Sequence, residues 1–238
     1  MSPLLANIAL SVLDEHMASK WAVSSYQRAK RRRQGGANYR LVRYADDFLI
    51  LVSGDREHAV QVKAEAAAVL ATMGLRLSEE KTSITHIDEG LDFLGWRIQR
   101  HRKRGTSSNF IYTYPSKKAL RSVMAKVKLI CRQNTNLPLE VLLHRLNRLL
   151  RGWTTYFRPG VSFAAFSYLR SYLWARVIAW IRRKHRRMNW MQLRRRYCNG
   201  GWWPTTAEVT LFNPTNAGTT RYRYRGTAIP SPWPTATT

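Results

Sequence analysis

The stretch Tyr44–Leu51, YADDFLIL, decides the fold because it sets two adjacent carboxylates, Asp46 and Asp47, between apolar segments. Residues 39–52 are typical of two strands joined at that acidic pair, and the run FLILV at 48–52 predicts a strand buried on both faces. A tight hairpin turn usually carries Gly or Asn at positions with positive φ. This turn has neither, so we expect a strained backbone beside charged groups, which points to a function.

The two adjacent anions have no cation beside them in sequence, and they repel each other unless a divalent metal ion neutralises them. Mg²⁺ prefers carboxylate oxygens together with water and substrate phosphate. Asp46 and Asp47 are therefore candidate ligands of Mg²⁺. The plain alternative is an exposed turn without a function.

Charge divides the chain into a neutral part and a strongly basic part. Of 40 Lys and Arg and 14 Asp and Glu, residues 1–92 hold twelve of each, so the whole net charge of +26 lies in residues 93–238. So many uncompensated charges favour a polyanionic partner, most commonly a nucleic acid. An anionic membrane surface is the alternative. We expect no membrane span, because the apolar stretch 161–181 carries two arginines and has the spacing of an amphipathic helix.

The composition excludes several classes of protein. Apolar residues make up 45% of the chain, which excludes a wholly disordered polymer. Two cysteines, Cys131 and Cys198, exclude a disulfide scaffold and a CxxC zinc site, and Cys131 is expected to be a buried, inert thiol. The low cysteine content and the lack of a secretory signal in this sequence lead us to expect a cytoplasmic protein.

Hydrophobic periodicity predicts helices in both parts of the chain. We expect a first helix over residues 4–27 with Leu5, Ile8, Val12 and Leu13 on its apolar side, a basic turn at 30–36, and a helix over 55–73 ended by Gly74. A loop with short strands at 75–87 and a hairpin built from 92–99 and 109–114 should follow. The later elements expected are helices at 116–132, 139–156, 161–187 and 190–197, and then loops with short strands.

Seven segments resemble group II intron reverse transcriptases and occur in that family's order. Four are similar to the palm: SPLLANI at 2–8, YADDFLIL at 44–51, MGLRLSEEKT at 73–82 and FLGWRI at 93–98. Three are similar to the maturase-specific helices and the closing segment: GWTTYFRPG at 152–160, YLWARVIAWIRRKH at 172–185 and RYRYRGTAIPSPW at 221–233. The resemblance implies an α+β fold with a partial reverse transcriptase palm at 1–114, a basic helical thumb and maturase domain at 115–200, and a basic, aromatic C-terminal segment at 201–238.

The resemblance also implies roles for individual residues. Asp46 and Asp47 would be metal ligands of a two-metal nucleotidyl transfer, and Lys81 would lie near the triphosphate as a proton donor, unless it is an ordinary exposed lysine. Tyr44 and Trp96 would contact nucleic acid, although Trp96 is equally compatible with a core position. Pro3, Leu4 and Asn7 would begin a helix that lines the nucleotide pocket, with a buried helix start as the plain alternative.

Three features that the family resemblance leads us to expect are not found in this sequence. They are a third metal-binding aspartate on an earlier strand, a Gln-Gly-Gly turn before SPLLANI, and a finger region. The chain is therefore expected to be the C-terminal part of a reverse transcriptase and maturase that does not polymerise DNA alone. The alternatives are an enzyme half completed by a separate N-terminal polypeptide, and a free-standing RNA-binding maturase module without catalysis.

Nucleic-acid contacts are predicted along the basic part of the chain, with group II intron RNA and a DNA primer or target as the implied partners. Arg221, Arg223 and Arg225 alternate with tyrosines, so in a strand the three guanidinium groups share one face toward phosphates, unless the tyrosine face simply covers the bundle. Trp202 and Trp203 favour a core or lid over a base-stacking platform. The other candidate contacts are cations of the predicted helices: Lys117, Lys118, Arg121, Arg182, Arg183 and Arg186.

Overall fold

The computed structural model describes residues 3–21, 24–102, 105–132 and 136–220, and it is a mixed α+β structure, as expected from the sequence. The chain forms two compact units, Met1–His86 and Ile87–Thr238. Within the described ranges, no helix is long and apolar enough to cross a bilayer.

The first unit combines three helices with one antiparallel pair of strands. Its elements are α1 (Pro3–Lys20), α2 (Ser25–Arg33), β1 (Asn38–Tyr44), β2 (Asp47–Ser53) and α3 (Arg56–Ala71). Helix α1 packs against β1 and α3. The core of this unit consists of six buried side chains of α1 and α3, with one side of the sheet packed against them: Leu10, Leu13, Met17, Val62, Ala66 and Leu70.

The prediction of one helix over residues 4–27 is wrong in extent and in orientation. Helix α1 ends at Lys20, and α2 begins after Ser24, whose side chain accepts a hydrogen bond from the Gln27 backbone amide. Of the four residues predicted on the apolar side of α1, Leu13 is buried, whereas Leu5 and Ile8 are 60% and 59% exposed. The buried row of the helix consists of Leu10, Leu13 and Met17, and it faces the sheet and α3. The predicted basic turn at 30–36 is helical as far as Arg33.

The two predicted strands are present, but the burial expected for residues 48–52 is wrong. Strand β2 pairs with β1 alone, so the sheet has one covered face and one open face. Phe48, Ile50 and Val52 pack against the core of the first unit, while Leu51 on the open face is exposed. A two-stranded sheet packed on one side cannot bury consecutive residues of a strand, since their side chains alternate between its faces.

Helix α3 agrees with its prediction at both ends. Asp55 is its N-cap in a capping box with His58, and Gly74 follows its C-terminus with φ 71°. The Leu75 amide bonds back to the Leu70 carbonyl at 3.0 Å, which closes the helix end through the left-handed glycine. Residues 75–87 form a loop, but the short strands predicted there are not formed.

The second unit begins with a three-stranded sheet in place of the predicted hairpin. Strands β3 (Leu91–Phe93), β4 (Trp96–Arg102) and β5 (Asn109–Pro115) are antiparallel in the order β3-β4-β5. The predicted first arm, 92–99, contains a tight turn at Leu94 and Gly95, both with positive φ. Because these two residues reverse the chain, Phe93 pairs with Trp96 instead of continuing one strand.

The helices of the second unit form along the predicted segments. They are α4 (Lys117–Arg132), α5 (Leu139–Phe157), α6 (Phe163–Lys184) and α7 (Trp190–Tyr197), and α6 ends three residues before the predicted boundary. Helix α4 packs on α5 and α6. Within the part of the tail that the structure describes, isolated bridges and a short 3₁₀ helix (Pro214–Ala217) replace the expected strands.

Leucine and other apolar side chains close a continuous core between these helices. Leu143, Leu146, Leu150, Leu169 and Leu173 are fully buried. The amphipathic helix expected at 161–181 is confirmed, since its buried residues follow the predicted spacing from Phe166 to Ile181. Phe163 is the exception and is exposed.

Candidate active site and nucleic-acid interface

The acidic turn is a two-residue hairpin loop with strain at its first position. Tyr44 pairs with Asp47 across the strands, which leaves Ala45 and Asp46 to reverse the chain. Ala45 has φ 53°, a left-handed conformation that costs a non-glycine residue about 1–2 kcal/mol. The strain predicted from the missing Gly or Asn is confirmed, and the turn sets both carboxylates at an exposed tip.

Arg43 holds this turn against α1, and sequence reasoning missed it. Its guanidinium lies 2.5 Å from the Asp14 carboxylate and donates to the Asn7 side chain at 2.9 Å and to the Ala45 carbonyl at 3.0 Å. The hydrogen bond that Arg43 donates to the Asp14 carboxylate raises the pKa of Arg43. A cation is therefore close to the acidic pair in sequence, contrary to the prediction, but Asp14 already neutralises it.

The tip carboxylates stay free for another ligand. Among the residues that the structure describes, neither Asp46 nor Asp47 has an ion-pair or hydrogen-bond partner, and no three His, Cys, Asp or Glu side chains are grouped closely enough to hold a metal ion. Two unpaired carboxylates have the oxygen chemistry that Mg²⁺ prefers. The two carboxylates therefore fit one hydrated Mg²⁺ ion, but they are too few to hold two ions.

The other predicted residues of the first unit lie at the surface. Tyr44, beside the tip, is 67% exposed. Lys81 is exposed in a turn whose amides bond back to the Ser78 carbonyl, and it has no ion pair within the described ranges. Leu4 is exposed, and Asn7 accepts the Arg43 bond given above. Leu4 is therefore not part of a buried helix start, which was the plain alternative for this segment.

Trp96 belongs to an aromatic cluster between the three-stranded sheet and α5. Its ring centroid lies 4.8 Å from that of Phe157 and 5.8 Å from that of Tyr156. Gly160 lies so close to it that a β-carbon there would overlap the indole, and the Val161 amide donates to the Thr113 carbonyl at 2.7 Å. The half-buried Trp96 thus has a packing role, and its contact to nucleic acid stays a prediction.

Helix α4 separates its apolar and basic residues. Val123, Val127 and Cys131 are buried, and burial raises the pKa of the Cys131 thiol to about 11, against the opposing charges of Arg183 and Arg176. The prediction that the Cys131 thiol is buried is confirmed. Three predicted contacts of this helix are exposed to solvent: Lys117, Lys118 and Arg121.

A basic cleft of about 890 Å³ lies where α6 ends and α7 begins. His185 also lines the cleft, and its Nε2 lies 2.6 Å from the Tyr197 Oη. Burial lowers the pKa of His185, and the charges of Arg196 and Lys184 lower it further. We call this cavity the six-cation cleft after the cations that line it: Arg183, Lys184, Arg186, Arg187, Arg195 and Arg196.

The arginines predicted to contact nucleic acid after residue 180 lie in different surroundings. Arg183 and Arg186 line the six-cation cleft, and Arg183 also donates to the Cys131 carbonyl at 2.9 Å. Arg182 lies over the ring of Trp190 at 5.2 Å. Arg221, Arg223 and Arg225 lie outside the described residues.

Two family models match this chain in separate regions. The model for reverse transcriptases (RNA-dependent DNA polymerases) matches residues 1–98, which include the acidic turn. The model for the maturase-specific domain of group II introns matches residues 120–198, which include the six-cation cleft. Together with the similarity to a group II intron-encoded protein given below, these two matches support a group II intron reverse transcriptase and maturase.

Curated relatives of this reverse transcriptase and maturase chain are longer than the regions they share with it. Protein YkfC of Escherichia coli is 31% identical over 136 residues, which are 50% of this chain and 36% of YkfC. The group II intron-encoded protein LtrA of Lactococcus lactis subsp. cremoris is 44% identical over 66 residues, 27% of this chain and 11% of LtrA. The matched regions thus span about a third and about a tenth of these relatives.

Proposed function

We propose that the second unit of this chain binds group II intron RNA and assists its folding. The observation that carries the proposal is the cleft lined by six cations, in a region that holds the whole net charge of +26. Arginine and lysine at this density neutralise phosphates and release the counterions condensed on RNA, which supplies affinity without reading sequence. The exposed basic face of α4 adds a second surface of the same sign: Lys117, Lys118 and Arg121.

A salt titration of RNA binding tests this proposal. We expect the full chain to bind a structured intron RNA in a filter-binding assay, with affinity falling roughly 10³–10⁵-fold between 50 and 200 mM salt if about six to ten phosphates are neutralised. A response to salt that stays flat would contradict the proposal, because contacts made without phosphates do not release counterions.

Replacing single arginines by glutamine shows which cations contact the RNA. Arg186→Gln in the six-cation cleft should weaken binding and lower the salt slope by about one unit. Arg56→Gln, an exposed arginine of α3 in the first unit, is the matched control and should change neither quantity. Equal losses in both variants would mean that RNA responds only to net charge.

We also propose a second function for the first unit, RNA-directed DNA synthesis, because the acidic turn leaves two carboxylates unpaired at a tip that Arg43 holds in place. Asp46 and Asp47 would hold Mg²⁺, and the bound ion supplies Lewis-acid activation of a primer hydroxyl and of phosphate oxygens. Tyr44 lies beside the tip for contact with the nucleic acid, and Lys81 is the candidate proton donor. A further carboxylate, on a separate N-terminal half or an adjoining segment, would complete the ligand set.

Supplying that half tests the second function. Primer extension on an RNA template should be absent for the present chain and should appear when the N-terminal part of a family member is added, fused or in trans. Asp46→Asn keeps the shape but removes one ligand charge, so it should lower the restored rate by at least about 100-fold. Asp47→Asn should be damaging to a smaller extent.

RNA binding by the same variants is the control for folding. Asp46→Asn should leave RNA affinity unchanged, since the proposed RNA contacts lie in the second unit. Normal extension by the complemented Asp46→Asn enzyme would refute the assignment of the acidic turn as a metal site. In the proposed division, 1–114 forms the palm part, 115–200 the thumb and maturase part, and 201–238 the closing segment, in a cytoplasmic protein that acts on intron RNA with a DNA primer or target.

A further inference from the structure

Two large indole rings lie exposed at the junction of α6 and α7. Trp190 is 43% exposed and Trp202 is 57% exposed, and their ring centroids are 6.3 Å apart at an interplanar angle of 55°. Tryptophan carries the largest apolar surface of any side chain, so leaving two neighbouring rings in water is costly unless a ligand covers them.

Both rings are supported from one side by arginine. The Arg194 guanidinium lies 4.3 Å from the ring centroid of Trp202, and the Arg182 guanidinium lies 5.2 Å from that of Trp190. Cation–π attraction at such distances holds each ring in one orientation. We call Trp190, Trp202 and these two arginines the tryptophan platform.

The backbone beneath Trp202 is fixed independently of its ring. The indole Nε1 of Trp174 donates to the Trp202 carbonyl at 2.7 Å, and Arg194 donates to the carbonyls of Gly200 and Gly201 at 2.8 and 3.1 Å. The platform is therefore ordered before any ligand arrives, which lowers the entropic cost of binding. It also means that the Trp202 ring can be removed while its carbonyl keeps its partner.

The neighbouring Trp203 shows that exposure of Trp202 is specific. Its indole Nε1 donates to the Leu211 carbonyl at 2.6 Å and its ring is half-buried against the core of the second unit. The sequence favoured a core or lid position for both residues, and the exposed Trp202 is not a core residue. The two rings differ because the Trp203 indole has a backbone carbonyl as its partner, whereas the Trp202 ring has Arg194 and Trp190 beside it.

The platform and the six-cation cleft share their supporting segments. Arg182 and Arg183 are consecutive, as are Arg194 and Arg195, and in each pair the first lies on a tryptophan and the second lines the cleft. Aromatic faces for bases beside cations for phosphates are what unpaired nucleotides require. We propose that the tryptophan platform and the six-cation cleft together bind a single-stranded segment of RNA, with bases stacked on Trp190 and Trp202 and phosphates in the cleft.

This inference rests on the proposed RNA binding and adds the kind of RNA. In a duplex the base faces are already stacked on one another, and only phosphates and groove edges are available to the protein. The platform should therefore distinguish an unpaired segment from a helix while showing little sequence preference, because every base has a π-face.

The test compares two labelled probes on the full chain at one salt concentration: a single-stranded oligoribonucleotide and a duplex of the same sequence. Trp202→Leu, which keeps apolar volume but removes the aromatic face, should weaken single-strand binding roughly 5- to 100-fold. Duplex binding should change by less than about twofold. Trp202→Phe should restore much of the single-strand affinity, because it restores a stacking face.

Two controls separate stacking from folding and from charge. Tyr168→Leu on α6 removes an exposed aromatic side chain that has no cation over it within the described part of the chain, and it should leave both affinities unchanged. Arg195→Gln in the six-cation cleft should weaken both probes together, since both carry phosphates. Thermal unfolding of each variant checks that the second unit stays intact, and Trp190→Leu repeats the test at the other ring.

The outcomes separate this inference from the function on which it rests. If the unaltered chain binds no RNA, the proposed function fails. If it binds RNA but both tryptophan variants keep full single-strand affinity, or lose single-strand and duplex affinity equally, the platform is not a base-binding site. Binding to phosphatidylserine vesicles that exceeds binding to RNA, with loss in Trp202→Leu, would instead assign the platform to a membrane surface and overturn the proposal.

Discussion

The two compact units differ in how completely they bury their own apolar residues. In Met1–His86 the core lies between α1, α3 and one side of a two-stranded sheet, while Leu4, Leu5 and Ile8 point to solvent. In Ile87–Thr238 the core runs through four helices, with leucines that are wholly inaccessible. A two-stranded sheet with one covered face is only marginally stable by itself. The contrast indicates that the second unit buries a larger share of its apolar residues than the first.

The same contrast holds for charge. The neutral first part carries the unpaired carboxylates, and the basic second part carries the cleft for phosphates. Chemistry and affinity are thus proposed to reside in different units. Each prediction below either strengthens this division or breaks it.

The largest effect is expected from shortening one buried leucine in the core of each unit. Leu146 and Leu13 are both fully buried, in the second and first units respectively. Leu146→Ala and Leu13→Ala should each lower the free energy of unfolding of their own unit by about 2–5 kcal/mol. Hydrogen exchange should show lost protection in the helices of the second unit for one variant and in β1 and β2 for the other. A loss of protection in both units from either substitution would mean that they unfold together.

A smaller effect is expected where the sheet of the second unit meets its helices. Gly160→Ala places a methyl group into the Trp96 ring and 2.6 Å from the Thr113 carbonyl oxygen, and it should destabilise the unit by about 1–3 kcal/mol. Gly152→Ala is the matched control, because it is an exposed helical glycine with open space around it. It should stabilise by about 0.5–1 kcal/mol in denaturant unfolding. Indifference to Gly160→Ala would refute the close packing.

The thiol of Cys131 gives the second unit a pH dependence that the first, which has no cysteine, lacks. Burial raises the pKa of Cys131 from 9.0 to about 11, so the folded state keeps its proton after the unfolded state has lost it. The stabilisation is full below pH 9 and is lost as the pH rises toward 11, at about 1 kcal/mol per pH unit. Cys131→Ala should flatten that part of the stability curve, measured as the difference from the unaltered chain. Identical slopes would contradict the raised pKa.

The smallest effect is expected at the acidic turn of the first unit. Ala45→Gly relieves the left-handed strain at φ 53° and should stabilise β1 and β2 by about 1 kcal/mol. Ala64→Gly, at an exposed position of α3, should destabilise the same unit by about 1 kcal/mol and serves as the control. Hydrogen exchange in the two strands measures both. Destabilisation by Ala45→Gly would mean that the strain is not released.

Local signals made much of this architecture predictable. The strand pair around YADD, the strain in its turn, the glycine after α3 and the amphipathic faces of α4 and α6 all follow from residues that are neighbours in sequence. Turn chemistry and helical periodicity act over a few residues, so a sequence determines them with little help from the rest of the chain. The motifs and their order were also sufficient to indicate the family that the comparisons support.

Tertiary structure decided which of several equivalent surfaces became buried. Leu13 and Ile8 are predicted on the same apolar side of helix α1, but contact with the sheet and α3 buries Leu13 and leaves Ile8 exposed. The pairing of Arg43 with Asp14 and the hydrogen bond from Trp174 to the Trp202 carbonyl likewise depend on partners 29 and 28 residues away in sequence. A side chain's burial and hydrogen bonds are properties of the surface that it meets, and that surface exists only after distant segments have packed together.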